Sequence, residues 1–220
     1  MGRQTQTRER LVETAAELFW TQGYAQTGVS SIMKRARATS GSFYHFFPTK
    51  DDLLLAVLDA VGEWLEAEVL DRAESASKEP LGRIAALAAA YRGRVAPGAT
   101  GFGLPVGSLV SELAPGNPAA LDAVERIYRR LVSRIAGWIA NAGGRRTAAE
   151  EARSLGEFVV GSLEGAALLA LASRSTAPVD ACAEQLALRI EDAVGDRTSS
   201  GDDVHVPRAG GRELRDWKAW

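Results

Sequence analysis

The chain has 220 residues, 46% of them apolar and 25% charged, with a net charge of -2 at pH 7. That length and apolar share exclude a disordered chain and suffice for one large domain, or for a small module joined to a larger one. The single cysteine, Cys182, excludes an internal disulfide and a cysteine metal site; with no run of 18 uninterrupted apolar residues and a polar N-terminus, a cytoplasmic protein without membrane partners is expected.

Alanine, leucine and valine dominate the apolar residues, and glycine and proline fall in the gaps between long segments, so the fold class is expected to be all-α. The spacing of Leu11, Ala15, Leu18 and Phe19 predicts a first helix from Thr5 to Thr21, closed by Gly23. A short second helix follows from Val29 to Ala36, capped by Gly28; its apolar side is Val29, Ile32, Met33 and Ala36, and its polar side is Ser30, Ser31, Lys34 and Arg35. Thr39 or Ser40 caps a third helix of two turns, which Pro48 closes. From Lys50, with Thr49 as cap, a long amphipathic helix runs toward Arg72. Further helical segments are expected near residues 80–95, 106–114, 118–141, 147–173 and 178–194, with "APGATGFGLPVG" as the least regular interruption. Three regions result: 1–50, 51–195, and a tail at 196–220 that loses apolar periodicity.

Charge is unevenly spread over these regions. Residues 1–50 hold seven lysines and arginines against three acids, although the whole chain is acidic. One basic face aimed at a polyanion is the implication. Two short helices joined by a tight turn form a helix-turn-helix, the arrangement that presents one helix to the major groove of DNA. In the third helix Phe43, Phe46 and Phe47 read as core, which leaves Ser40, Ser42, Tyr44 and His45 outward. Serine and tyrosine hydroxyls bond phosphate oxygens, a helix N-terminus adds free N–H groups, and Gly41 lets the backbone approach the duplex closely. Lys50 supplies a cation where a strand passes. The candidate DNA-binding residues are therefore Ser30, Arg37, Thr39, Ser40, Gly41, Ser42, Tyr44, His45 and Lys50.

These residues carry a resemblance. Residues 8–54, with "AAELF" in the first helix, "GYAQTGV" before the second and "GSFYHFFPTKDDLL" after the turn, resemble the DNA-binding domain of the TetR (tetracycline repressor) family. The resemblance implies phosphate contacts at Tyr44 and Lys50, and base-edge or backbone contacts at Ser40, Gly41, Ser42 and His45. One departure stands out: Arg37 occupies a turn position where the family carries glycine. Either Arg37 adopts a left-handed conformation at a cost of about 1 kcal/mol, or the turn is reshaped and Arg37 reaches a phosphate. Farther along, "GLPVGSLVSEL" and "GSLEGAALLALASRS" are similar to the LmrA/YxaF-like subgroup, with Leu104 where that subgroup commonly has cysteine. The subgroup implies a helical regulatory body with a ligand cavity, and a dimer in which the last two long helices pair with their copies.

Six aromatic residues from different helices, Trp64, Tyr91, Phe102, Tyr128, Trp138 and Phe158, are candidates to line an effector pocket for a flat or apolar small molecule. Gly161 and Gly165, with Val159, Ser162, Leu163, Ala166 and Leu186, are candidates for the homodimer interface. Catalysis finds no support: there is no phosphate-binding glycine loop, no nucleophile elbow, and no histidine near a nucleophile with a positioned acid. Neither a cofactor nor a metal is expected. The function read from the sequence is a ligand-responsive DNA-binding repressor that binds a palindromic operator as a homodimer. Two alternatives remain open: a helical small-molecule-binding dimer without sequence readout, which the Arg37 departure supports, and a DNA-binding protein without an effector.

Overall fold

The computed structural model describes residues 2–99, 102–113, 116–141 and 147–194, without the side chains of residues 2–4 and 111; the expected tail at 196–220 lies outside the described residues. Among the described residues all regular structure is helical. Helix α1, Gly2–Gln22, starts before the expected Thr5 and ends at Gly23, whose φ of 86° provides the left-handed exit that the sequence suggests. Helices α2 (Val29–Ala36) and α3 (Ser40–Phe46) follow as expected. Phe43 and Phe47 are buried, each stabilising the fold by about 1.5–3 kcal/mol through burial. Phe46 is only half-buried at the edge of the same core, so the three-phenylalanine inward face is a two-phenylalanine face with a flanking third.

Helix α4, Lys50–Trp64, begins with a capping box: the Asp52 N–H donates to Thr49 Oγ1 at 3.1 Å, and the Thr49 N–H donates to Asp52 Oδ2 at 2.9 Å. The helix expected to reach Arg72 does so with one irregularity. A π-helical turn at Leu65–Leu70 separates α4 from α5, Asp71–Ala76. Helix α6, Pro80–Val95, opens on a proline whose missing N–H costs nothing there. The segment expected as one helix at 106–114 is a 3-10 turn, Val106–Leu109, running into the short α7, Val110–Leu113.

Helices α8 (Pro118–Ala140), α9 (Ala149–Ser173) and α10 (Ala177–Val194) complete the body. Asn117 caps α8 by accepting from the Ala120 N–H at 2.9 Å. Arg134 of α8 reaches Asp71 and Glu74, each at 2.8 Å, and Trp138 Nε1 donates to Glu74 Oε1 at 2.7 Å, which ties α8 to α5. The Trp138 hydrogen bond, aided by Arg134, holds the Glu74 carboxyl below the usual carboxylate range.

Helix α9 is long and apolar enough to cross a membrane by length and composition, and half of its most apolar window is buried inside the subunit. It packs against α6, α8 and α10. A single apolar core extends from Leu11 to Ile190, so the small head formed by α1–α3 and the larger body share buried surface along α4.

Candidate nucleic-acid interface

Helix α3 is held rigidly from three sides while its outer face stays open. At its N-terminus Thr39 Oγ1 accepts from the Ser42 N–H at 3.2 Å and lies 2.9 Å from Ser42 Oγ, so these two hydroxyls serve the cap as well as the surface. At its far end the Phe47 N–H donates to Phe43 O at 2.8 Å. Beneath it, Phe43 and Phe47 anchor the helix to the core. Outward, Ser40, Gly41, Tyr44 and His45 are exposed, Tyr44 at 54%, and a side chain added at Gly41 would meet no atom within 4 Å. Tyr44 leans edge-on against Phe43 with ring centroids 5.2 Å apart, which fixes its direction while leaving its hydroxyl in solvent. Ser30 is exposed on α2.

Arg37 resolves one of the two readings of the turn. Its φ of 52° and ψ of 43° are left-handed, and its N–H donates to Lys34 O at 3.3 Å while the Ala38 N–H donates to Met33 O at 2.9 Å. The turn therefore keeps the conformation a glycine would take, at the cost of a non-glycine residue in it; it is not reshaped. The Arg37 side chain is exposed. Among the other cations of the head, Arg35 pairs with Glu17 at 2.7 Å, Arg10 Nε donates to Ala36 O at 3.3 Å at the end of α2, and Arg8 stands 5.5 Å from the Phe47 ring. Part of the basic excess is thus committed to the head's own structure.

Lys50 sits at the seam between head and body rather than free in solvent. Its Nζ donates to Tyr24 O at 2.6 Å and lies 4.0 Å from the centre of the Tyr24 ring. Burial pulls its pKa below 10.5, against the opposing pull of the Asp51 and Glu112 carboxylates. The Tyr24 hydroxyl donates to Asp51; burial and that bond raise the phenol's pKa. Glu112 of α7 accepts from the Ala25 N–H at 2.9 Å, so the body contacts the turn that precedes α2.

The aromatic residues expected around one pocket are dispersed. Phe102 lies tilted between Trp64 and Trp20 at the seam, with ring centroids 6.2 and 6.4 Å away, and Gly103, at a φ of 105°, lies so close to the Trp64 ring that a Cβ would come within 2.6 Å of it. Trp138 is buried against Glu74 and α5, and Phe158 is 51% exposed on the outside of α9. Tyr91 and Tyr128 converge at a separate place: both hydroxyls donate to Glu164, at 2.7 and 2.9 Å. Of the six, Phe158 thus faces outward and Trp138 is engaged with Glu74, so neither meets the other candidates. Glu164 is the residue that sequence reasoning missed. Its carboxylate is buried and also accepts the N–H groups of Val106 at 3.1 Å and Gly107 at 2.7 Å. The only available signal was one acid inside the apolar run "GSLEGAALLALA".

The candidate interface residues on α9 and α10 divide in the same way. Val159, Leu163, Ala166 and Leu186 are buried inside the subunit, so they pack its own core. Gly161 and Gly165 face outward, Ser162 lies at the boundary, and the exposed ridge continues through Phe158, Leu168 and Leu169.

A small helical head with one open, rigidly capped helix on a larger helical body defines a helix-turn-helix DNA-binding regulator. Comparison with known proteins carries this further: residues 11–57 match the bacterial regulatory proteins of the tetR family, and residues 80–185 match the C-terminal domain of LmrA/YxaF-like transcriptional regulators. The chain belongs to the TetR family. It is 29% identical to the HTH-type transcriptional regulator YxaF of Bacillus subtilis (strain 168) over 82% of this chain and 93% of that protein. It is 27% identical to the HTH-type transcriptional regulator LmrA of the same organism, over 79% and 90% of the two chains. Among solved structures, a TetR transcriptional regulator from Chloroflexus aurantiacus J-10-FL superposes with a TM-score of 0.73 at 24% identity, over 86% of this chain and 96% of that one. The regulatory protein TetR from Rhodobacter sphaeroides superposes with a TM-score of 0.69 at 26% identity, over 82% and 96%. These relatives are transcriptional regulators and not enzymes, and DNA binding is the shared activity.

Proposed function

We propose that this regulator is a cytoplasmic repressor that binds a palindromic operator as a homodimer and leaves it when a small, largely apolar effector binds the body. The observation that carries the reading is the pairing of an open α3 face with an apolar ridge on α9. Phe158, Gly161, Gly165 and Leu168 recur at alternating steps of three and four, and neither glycine has another side chain over it. A water-facing ridge of this kind suits a second copy, and Leu188 of α10 is also 56% exposed.

One recognition helix touches few bases, so two are needed, held about 34–36 Å apart to meet successive major grooves. In the proposed contacts Ser40, Gly41, Ser42 and His45 meet base edges or the adjoining backbone, Tyr44 and Lys50 meet phosphate, and Ser30, Arg37 and Thr39 border the strand. Lys50 would exchange its bond to Tyr24 O for a phosphate oxygen. For release, the effector must bind better to a conformation in which α4 has swung and the heads have left register; a 100-fold loss of operator affinity requires about 2.7 kcal/mol of differential binding.

Selection of bound fragments from genomic DNA tests the operator half of this reading, and an enriched palindrome is the expected result. Screening neutral apolar compounds for release of that palindrome tests the effector half. Equal affinity for all duplexes would leave a small-molecule-binding dimer as the better account.

A further inference from the structure

A depression lies outside the seam, along α8. It has a volume of about 780 Å³ and is floored by Leu121, Val124, Tyr128 and Val132, with Val110 of α7 at one end. That volume lies within the range of small-molecule sites, roughly 300–1,000 Å³. Its rim carries two cations and two anions, and these pair within the protein: Arg129 with Glu125, and Arg153 with Glu157 at 3.0 Å. Balanced rim charges create no net field for an ion, and the floor offers apolar surface with a single phenol. Two other depressions fit less well: one of about 700 Å³ is walled by Arg8, Glu13, Asp52 and Glu63, and one of about 200 Å³ between α6 and α10 falls below the size range.

This groove is wired to the head. Tyr128 forms part of the floor and donates to Glu164, which in turn holds the Val106 and Gly107 amides; a Cβ at Gly107 would stand 2.9 Å from that carboxylate, so only glycine permits the approach. The segment so held reaches the head at both ends. Trp20 Nε1 of α1 donates to Pro105 O at 3.2 Å, and Glu112 accepts from the Ala25 N–H at 2.9 Å. Val110, within the same segment, lines the groove directly.

We propose that the groove beside Tyr128 binds a neutral, largely apolar small molecule, and that its occupancy is transmitted to the head through the Glu164-held segment 105–112. This rests on the effector-responsive reading above and names the site and the route for it. A ligand pressing on Tyr128 and Val110 acts on both ends of a short, hydrogen-bonded strut. Tyr128 is then a ligand-contacting residue, and Glu164 is a positioning residue that acts through the two amides.

The test uses the purified full chain and N-phenyl-1-naphthylamine, an uncharged apolar fluorophore. Ser133 is exposed on the groove wall, so Ser133→Trp fills the groove without entering the core. The expected results are saturable binding by the parent protein, at least tenfold weaker binding by Ser133→Trp with unchanged thermal unfolding, and probe-dependent changes in amide exchange at residues 105–112 and 23–27. Glu164→Gln, which does not line the groove, should keep probe affinity within about threefold and reduce the exchange change at 23–27, a split that a merely structural role would not produce. Absence of saturable binding, unchanged affinity in Ser133→Trp, or shielding of the groove by a second copy that excludes the probe would overturn the proposal. If a compound releases operator from the parent and from Ser133→Trp alike, the effector-responsive reading stands and the groove falls. If the probe fills the groove as expected and no compound releases operator, the groove stands and the regulatory reading falls.

Discussion

Replacing Glu164 with glutamine perturbs the buried junction by one atom. Each carboxylate oxygen accepts one backbone N–H and one tyrosine hydroxyl: Oε1 serves Val106 and Tyr91, and Oε2 serves Gly107 and Tyr128. Whichever oxygen becomes the amide nitrogen, a tyrosine hydroxyl can reverse and accept from it, but a backbone N–H cannot. One buried donor is therefore left facing another donor in either orientation. An unsatisfied buried donor costs about 1–3 kcal/mol, and the remaining bonds lose the strength a charged acceptor gives. Relief of the cost of burying a charge offsets part of this. The expected loss is about 2–3 kcal/mol, read as a lower midpoint in urea unfolding at fixed protein concentration and pH 7, with an unchanged slope. Stability within about 0.5 kcal/mol of the parent would refute the reasoning, because it would mean that the amides are satisfied in some other way.

Stability should fall as pH rises above 10. Burial first, and the Glu164 charge second, push the Tyr91 and Tyr128 hydroxyls above their usual value of 10.0, so the unfolded chain releases these protons before the folded one does; each contributes up to about 1.4 kcal/mol per pH unit past the unfolded value. Tyr91→Phe should flatten that slope in urea titrations from pH 9 to 11. Arg37→Gly should stabilise the protein by about 1 kcal/mol by relieving the left-handed strain; if Arg37 also meets phosphate, the same change lowers the salt dependence of operator binding by about one unit of slope. Thr49→Ala breaks the capping box of α4 and should cost about 1 kcal/mol in thermal unfolding. Leu169→Glu places a charge at a position 63% exposed on the α9 ridge, and sedimentation should show a folded monomer with sharply weaker operator binding.

The head was legible in the sequence because its helices each have one apolar side and sharp punctuation. Gly23, Gly28, Thr39, Pro48 and Thr49 stop and start the elements where the structure does. The body was legible as segments but not as faces. Helix α9 is apolar on two sides, so periodicity did not separate Val159 and Leu163, which point inward, from Phe158 and Leu168, which point outward. Aromatic residues drawn from separate helices carry no information on which of them converge, and they proved to serve the seam, the α5 contact and the outer ridge as well as the Glu164 junction. The π-helical turn at Leu65–Leu70 also left no mark, since the apolar spacing of that run is compatible with an uninterrupted α-helix. Arg37 shows the opposite failure: the residue departs from the expected glycine, yet the backbone takes the same conformation.

The most direct measurement is a hydroxyl-radical footprint of the protein on the palindrome recovered by genomic selection, with the stoichiometry determined on the same sample. Two copies per duplex, protecting two patches about 34–36 Å apart on one face, is the predicted result. A single protected patch from one copy, or protection that follows no base sequence, would contradict it.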